Sequence, residues 1–204
     1  MKKNKSSKNW IRSQKKDVFF IKSQISGYRS RSSYKLIEIN KKFNLLKSKN
    51  YVLDLGSSPG GWSQVLTEKI IHGKIISVDL IPMKKIKNCT FIQGDFLKTK
   101  CQKEIISIFN RKIDAVFSDM AANTTGNKNL DSLRTGELCL ESMRFSFQIL
   151  DKKGCFVSKF FMGEIFSEIK FKANKLFERV HVFKPSASKS FSKESYIICK
   201  NLIN

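Results

Sequence analysis

The chain has 204 residues, and its 39 lysines and arginines outnumber its 17 aspartates and glutamates, which gives a formal net charge of +22. Hydrophobic residues make up 41% of the chain, which excludes a disordered protein and is enough for one domain with its own core, while no apolar run is long enough to cross a bilayer. The charge favours nucleic acid as a partner, although the abundance of Lys, Ile and Asn is also what an AT-rich genome would produce without selection for binding.

Residues 1–30 form a basic amino-terminal arm that precedes the predicted domain, residues 31–204. The first eight residues are predicted to be disordered. The rest of the arm carries scattered apolar residues such as Trp10 and Phe19, and either a short helix packed on the core or an unstructured tail fits this pattern. Arg29 and Arg31 are predicted to face RNA.

From residue 31 the chain alternates between helical and extended patterns. The apolar spacing of Tyr34, Leu36, Ile37, Ile39 and Phe43 predicts a helix. Further helices are predicted over residues 61–70, 103–110, 132–150 and 164–176. Strands are predicted over residues 51–55, 74–79, 90–93, 113–118, 154–160, 180–183 and 195–199. This alternation predicts an α/β fold with a mostly parallel, seven-stranded sheet, helices on both faces and an antiparallel hairpin at one edge.

The first predicted strand runs directly into a glycine-rich loop. Residues 51–62 read YVLDLGSSPGGW, and an amphipathic helix follows. A strand, turn and helix in this order place backbone N–H groups and a helix N-terminus around a small ligand. The spacing is neither the dinucleotide fingerprint nor the P-loop, and it favours a nucleoside without a pyrophosphate, such as S-adenosylmethionine. An ordinary turn of an α/β domain is the alternative.

Acidic residues lie at the carboxyl ends of successive predicted strands, where open parallel sheets bind their ligands. Asp54 and Asp79 end the first and second strands, and Asp95 and Asp119 follow the third and fourth. Asp79 is placed to accept hydrogen bonds from ribose hydroxyls and Asp95 from an adenine amino group. Any one of these aspartates could instead cap a helix or form a turn, but four strand ends in a row favour a site.

Lys159 interrupts the apolar run of the fifth strand, residues 155–161. A central parallel strand is buried, and a lone lysine there is costly unless it is paired. Either the side chain reaches solvent at the strand end, or it lies near carboxylates such as Asp119 and Glu194. The second interpretation is favoured because buried charges concentrate at functional sites.

Together these segments resemble the FtsJ/RrmJ family of RNA 2′-O-ribose methyltransferases. The resemblance runs from about residue 10 to the end of the chain, and no single motif would carry it. The matching segments are residues 29–36 (RSRSSYKL), 54–64 (DLGSSPGGWSQ), 78–83 (VDLIPM), 93–96 (QGDF), 118–121 (SDMA), 157–160 (VSKF) with 163–164 (GE), and 184–196 (KPSASKSFSKESY).

The resemblance implies a Rossmann-like methyltransferase fold and two sets of site residues. The family's catalytic Lys-Asp-Lys-Glu tetrad falls on Lys35, Asp119, Lys159 and Glu194. The implied S-adenosylmethionine contacts are Gly60, Trp62, Asp79, Asp95 and Asp119, and no metal is expected. The chain departs from the family at Ala122, where proline is usual, and at Ser158, which is more often aliphatic.

The implied reaction is methyl transfer to a uridine 2′-hydroxyl in the peptidyl-transferase region of large-subunit ribosomal RNA, within the assembling subunit. Lys159 would act as the general base, for which a lysine with a free pKa of about 10.4 needs a pKa of roughly 7–8. Lys159 could otherwise steer the hydroxyl while water takes the proton. Base methylation fits less well, since neither the Asn/Asp-Pro-Pro-Tyr-like loop nor a cysteine beside a proline is present.

Two other functions stay open at this point. The first is 2′-O-methylation of transfer RNA or a messenger RNA cap, and the second is a non-catalytic RNA-binding protein of ribosome assembly on the same fold. The five cysteines include no Cys-x-x-Cys pair, and no apolar segment follows the basic amino terminus. Free thiols and a cytoplasmic location without membrane contact are therefore expected. A monomer is the simplest oligomeric state.

Overall fold

The computed structural model describes residues 17–123 and 125–203. Seven strands form one sheet in the order β3-β2-β1-β4-β5-β7-β6. They are β1 (Tyr51–Leu55), β2 (Lys74–Asp79), β3 (Thr90–Gln93), β4 (Ile113–Ser118), β5 (Leu150–Phe161), β6 (Phe177–Phe183) and β7 (Glu194–Leu202). All neighbouring strands from β3 to β5 pair in parallel, whereas β7 runs antiparallel to both β5 and β6. The predicted fold class is confirmed, with the hairpin of β6 and β7 at one edge.

The helices cover both faces of this sheet. They are α1 (Val18–Ile25), α2 (Ser33–Phe43), α3 (Gly61–Lys69), α4 (Thr99–Phe109), α5 (Lys128–Ile149) and α6 (Phe166–Leu176). On one face, apolar residues of α2 and α3 pack on the sheet around Leu36 and Trp62. On the other, α4, α5 and α6 pack around Ile105, Phe145 and Ile169. None of the helices in the described part of the chain is long and apolar enough to cross a membrane.

Several boundaries differ from the sequence prediction for local reasons. Helix α5 begins at Lys128 rather than at residue 132, because the Asn127 side chain accepts hydrogen bonds from the backbone N–H groups of Asn129 and Leu130 and so caps the helix. Helix α4 begins at Thr99, four residues before its predicted start, and the side chain of Lys98 makes no cap there. Strand β5 begins at Leu150, which pairs with Ile113 before an irregularity shifts the register.

The described part of the arm is ordered against the domain, which favours the helix over the tail from residue 17 onward. The Asp17 carboxylate caps α1 by accepting hydrogen bonds from Phe19 N and Phe20 N, and its other oxygen lies 2.7 Å from an Arg31 nitrogen. The Phe19 ring packs on Tyr34 of α2, with centroids 5.7 Å apart. The predicted disorder of the first eight residues and the arm as far as residue 16 lie outside the described residues.

Candidate active site

A cavity of about 440 Å³ opens at the carboxyl ends of the parallel strands, the position where α/β sheets bind ligands. Its walls combine carboxylates, apolar side chains and the backbone of the glycine-rich loop, a mixture suited to a nucleoside. Asp79 and Asp95 lie at one side, and Asp119 and Lys159 lie at the other. The remaining lining residues are Gly56, Ser58, Val78, Leu80, Ile81, Gly94, Phe96, Leu97, Met120, Ala121, Asn123 and Leu138.

The glycine-rich loop reaches the cavity through Gly56. Its φ of +73° lies in the left-handed region, and a Cβ added there would lie 2.7 Å from the backbone nitrogen of Met120. Glycine is therefore required both for the backbone conformation and for the close approach of the loop after β4. This packing brings the strand-one loop and the Asp119 loop to the same side of the cavity.

Two backbone N–H groups fix the Asp79 carboxylate at the end of β2. Ser58 N donates to Oδ2 at 2.8 Å, and Ile81 N donates to Oδ1 at 2.9 Å. Asp95 is held in a similar way, because Leu97 N donates to its Oδ1 at 3.0 Å. Each carboxylate oxygen can accept more than one hydrogen bond, so both groups keep acceptor capacity for a ligand.

Gly60 and Trp62, two of the predicted cofactor contacts, lie beside the cavity rather than in its lining. Trp62 is 2% exposed and packs edge-on against Phe117, while its Nε1 donates to the Ser32 carbonyl at 2.8 Å. Gly60, with φ +113°, precedes the first residue of α3. The structure therefore places the Trp62 side chain in the core that supports the loop.

The four residues of the predicted tetrad converge as two ion pairs. Lys159 Nζ lies 3.1 Å from Asp119 Oδ1 and also donates to the Asp119 carbonyl. Lys35 Nζ lies 2.7 Å from each oxygen of Glu194. Glu194 begins β7, and because β7 is antiparallel, its first residue meets the carboxyl end of β5 at Phe161. All four side chains are at most 14% exposed.

Tyr196 joins the two ion pairs. Its hydroxyl donates to Asp119 Oδ1 at 2.7 Å, and Lys35 Nζ lies 5.9 Å from the centre of its ring. Burial, followed by the charges of Asp119 and Glu194, raises the pKa of Tyr196 well above its usual value. The tyrosine therefore stays a neutral donor to Asp119.

The Asp119 carboxylate stays ionised although it is buried. Burial alone would raise its pKa, but the positive charges of Lys159 and Lys35, together with the hydrogen bond from Tyr196, lower the pKa below its usual value. A fixed negative charge between two ammonium groups can orient both of them.

The sequence of the whole chain is similar to a known group of enzymes. Residues 28–202 match the FtsJ-like methyltransferases. The ribosomal RNA large subunit methyltransferase E of Pelagibacter ubique is 51% identical over 202 residues, which cover 99% of this chain and 100% of the relative. The chain belongs to the FtsJ-like methyltransferase family. The family and the methyltransferase activity predicted from the motifs are confirmed.

Two further relatives agree with this membership. The enzyme of the same name from Rickettsia akari is 41% identical over 206 residues, covering 98% of this chain and 91% of the relative. A crystal structure described as a ribosomal RNA methyltransferase from Plasmodium falciparum has a TM-score of 0.79 and 34% identity, covering 87% of this chain and all of the other. The fold is thus that of an FtsJ-like methyltransferase.

Glu38 and Ser188 make contacts around Glu194 and were not predicted. Ser188 Oγ donates to Glu194 Oε1 at 2.6 Å. Glu38, one turn after Lys35 on α2, accepts hydrogen bonds from Ser186 N at 2.7 Å and Ala187 N at 3.0 Å. Helix α2 thereby holds the loop that carries Ser188, and the helical spacing of Lys35 and Glu38 was the signal that could have found this contact.

Asp54, at the end of β1, is a second buried carboxylate near the site. It is fully buried, and its Oδ2 accepts a hydrogen bond from Ser63 Oγ at 2.7 Å, while its Oδ1 has no hydrogen-bond partner. Burial, opposed by the Ser63 hydrogen bond and reinforced by the charges of Asp119 and Asp79, raises the pKa of Asp54 to about 7. Asp54 is not among the lining residues of the cavity.

The guanidinium groups of Arg29 and Arg31, which were predicted to face RNA, make contacts within the protein. Arg29 Nη1 donates to the carbonyls of Pro59 and Lys84 at 3.2 and 2.6 Å. Arg31 pairs with Asp17 and donates to the Ala187 carbonyl. Both arginines thereby connect the segment that carries them to the loops around the site.

Proposed function

We propose that this protein transfers a methyl group from S-adenosylmethionine to the 2′-hydroxyl of a uridine in 23S ribosomal RNA, with Lys159 as the general base. The observation that carries the proposal is the shared lining of one cavity. Asp79 and Asp95 at one side offer acceptors for a nucleoside, while Asp119 and Lys159 at the other side offer a charged pair beside the reacting atoms. Cofactor and substrate hydroxyl can therefore meet in one place.

The residues around the cavity fit S-adenosylmethionine. When bound, this cofactor supplies a sulfonium methyl group that is already electrophilic. Asp79 would hold the ribose hydroxyls and Asp95 the adenine amino group, with apolar side chains such as Leu80 and Ile81 along the base. Asp119 would lie near the positive end of the cofactor, and Gly60 and Trp62 would support the loop that approaches it.

Lys159 would take the proton of the 2′-hydroxyl. A base must be within hydrogen-bond reach of its proton, and Lys159 Nζ lies at the cavity wall on a rigid central strand. The Asp119 carboxylate, 3.1 Å from Lys159 Nζ, holds the amine at the wall of the cavity. Tyr196 lies between the Lys159–Asp119 pair and the Lys35–Glu194 pair. Lys35 and Glu194 would orient the ribose.

The name of the relatives supports ribosomal RNA as the substrate. Two of them, 51% and 41% identical over nearly the whole chain, are called ribosomal RNA large subunit methyltransferase E. The net charge of +22 suits a polyanionic substrate. We extend the proposal to a monomer that acts on large-subunit RNA in the assembling subunit, and hence in the cytoplasm.

Radiolabelled S-adenosylmethionine tests the proposal directly. The protein is incubated in parallel with large ribosomal subunits, naked 23S ribosomal RNA and transfer RNA. A 2′-O-methyl group blocks alkaline cleavage at its nucleotide, so the cleavage ladder maps the position. We expect label in large-subunit RNA, at one uridine. Label in transfer RNA alone would move the activity to that substrate, and transfer to none of the three would favour a non-catalytic binding protein.

A further inference from the structure

Phe191 is unusually exposed for its position. Its side chain is 82% exposed, the highest fraction among the large hydrophobic side chains of the described residues. It lies in the loop between β6 and β7, three residues before Glu194 of the tetrad. Single exposed hydrophobic residues are common and need no explanation, so the surroundings of this ring decide whether it has a role.

Lysines and a small groove surround the Phe191 ring. Lys189 Nζ lies 5.7 Å from the ring centre. A groove of about 220 Å³ is lined by Phe191, Phe161 and Ser192 together with Lys128 and Lys193. An exposed aromatic ring among ammonium groups is the combination with which proteins bind single-stranded nucleic acid, because the ring stacks on a base while the cations contact phosphates.

One carboxylate, Asp131, also lines this groove. Its Oδ1 accepts hydrogen bonds from Thr125 N at 2.7 Å and from Thr125 Oγ1 at 2.9 Å. These bonds connect Asp131, in the first turn of α5, to the loop before that helix. Lys128 and Lys193 in the lining, with Lys189 beside the ring, outnumber this one carboxylate. The net positive charge is complementary to a phosphate backbone.

The groove adjoins the proposed reaction centre. Phe161 pairs with Glu194 across β5 and β7, and Met162 N donates to the Lys193 carbonyl at 2.9 Å. Phe161 follows Lys159 by two residues on the same strand, which places them on the same face about 7 Å apart. A nucleotide whose ribose lies at Lys159 would therefore have its neighbour at the groove.

We infer that Phe191 stacks on an unpaired base next to the target nucleotide, while Lys128, Lys189 and Lys193 contact the adjoining phosphates. The inference rests on the proposed function, since it concerns the RNA substrate of that same site. Stacking on a protein ring requires a base that is free of its own helix. The site thus selects a single-stranded or loop segment at the target.

Phe171 provides a matched control for this ring. It is 55% exposed on α6, and Lys175 Nζ lies 4.3 Å from its centre, so it repeats the exposed ring with a lysine at a place away from the cavity. We expect Phe191→Ala to raise the KM for RNA by about fivefold or more, while the affinity for S-adenosylmethionine and the circular dichroism stay unchanged. Phe191→Trp should keep the KM near wild type, and so should Phe171→Ala. Equal KM values for Phe191→Ala and Phe171→Ala would overturn the inference.

A fluorescence measurement tests the stacking without methyl transfer. Single-stranded oligouridylate should quench the tryptophan of Phe191→Trp much more than that of Phe171→Trp, and a duplex of the same length should quench it less. Equal quenching in the two variants would reject the inference even if the wild-type enzyme methylates 23S ribosomal RNA. Selective quenching in Phe191→Trp with no methylation of any RNA would keep the inference and reject the proposed reaction.

Discussion

Lys159 is a charged side chain in the middle of a sheet, 8% exposed, with one carboxylate and one carbonyl as its partners. Such a group is kept at a cost in free energy, because burial disfavours its charge. Lys159 lies at the cavity wall away from Asp79 and Asp95. A variant of Lys159 should therefore affect catalysis without affecting cofactor binding. This separation can be measured.

We expect Lys159→Ala to lower the rate of methyl transfer by about 100- to 10,000-fold, the usual contribution of a general base. The affinity for S-adenosylmethionine should change by less than about threefold, since Lys159 lies opposite the nucleoside side of the cavity. Single-turnover rates at saturating cofactor and calorimetric titration measure the two quantities. A parallel loss of binding and turnover would contradict the assigned role.

Asp79→Asn is the matched variant at the other side of the cavity. Loss of a charged acceptor should weaken S-adenosylmethionine binding by about tenfold or more, while the rate at saturating cofactor falls much less. The same titration reports it. If Asp79→Asn bound the cofactor as well as wild type, Asp79 would not be the ribose acceptor.

Asp54 makes the stability of the fold depend on pH. Its pKa is about 7 in the folded protein against a usual value of 3.8. Between these values the folded chain holds a proton that the unfolded chain has lost, so stability falls as the pH rises from about 4 to 7 and is constant above that. Asp54→Asn removes this penalty and keeps an oxygen acceptor for Ser63.

The melting temperature of Asp54→Asn should therefore rise relative to wild type between pH 5 and pH 8, by about 5 °C or more. Differential scanning calorimetry at several pH values measures the difference. Asp151→Asn, at an exposed carboxylate, serves as the surface control and should show a constant difference. A difference that is also constant for Asp54→Asn would mean that Asp54 is ionised throughout.

Among the secondary-structure elements, α2 contacts both Glu194 and the loop before β7, through residues on two successive turns. Lys35 pairs with Glu194 of β7, and Glu38 holds the loop before it through the backbone N–H groups of Ser186 and Ala187. One helix thus positions both the carboxylate of the tetrad and the segment that carries Ser188. Loosening this loop should move Glu194 and leave the cofactor cavity intact.

We expect Glu38→Ala to reduce turnover about 10- to 100-fold, because small displacements of positioning groups are costly. Cofactor affinity should stay unchanged, and amide hydrogen exchange over residues 184–193 should speed up. Glu141→Ala is the control, since it breaks only an exposed pair with Arg144. Unchanged exchange in the loop of Glu38→Ala would show that other contacts hold it.

The sequence predicted the elements of the sheet well and their long-range order less well. Strand ends bearing Asp79, Asp95 and Asp119 could be found because parallel strands direct their carboxyl ends to one edge. The insertion of β7 between β5 and β6 has no local signal, since alternating apolar residues do not say which neighbour a strand pairs with.

Side-chain direction was the second limit of the sequence. A motif identifies Trp62 as part of the loop, but its indole points into the core toward Phe117. Arg29 lies near the end of the basic arm and Arg31 directly after it, yet both make internal hydrogen bonds. Charge counts alone do not distinguish an arginine that binds backbone carbonyls from one that faces solvent.

For the molecule as a whole, the charge of +22 is explained either by RNA binding or by genome composition. The salt dependence of RNA binding measures how many of the lysines contact RNA. If the lysines contact RNA, binding releases counterions, and the affinity for 23S ribosomal RNA fragments should fall at least about tenfold between 50 and 200 mM salt. The surface is basic whatever the origin of the lysines, so a shallow dependence would mean that few of them contact RNA. Fluorescence anisotropy with labelled RNA measures it, and S-adenosylmethionine affinity over the same salt range is the control.

The late position of β7 in the chain has a consequence for biosynthesis. Lys35 and Glu194 are separated by 159 residues, and the strand that brings Glu194 and Tyr196 is also the one that fills the gap between β5 and β6. A nascent or truncated polypeptide that stops before this strand lacks the carboxylate partner of Lys35 and has an incomplete sheet. The ion pair of Lys35 with Glu194 and the completed sheet therefore both depend on the last strand to be synthesised.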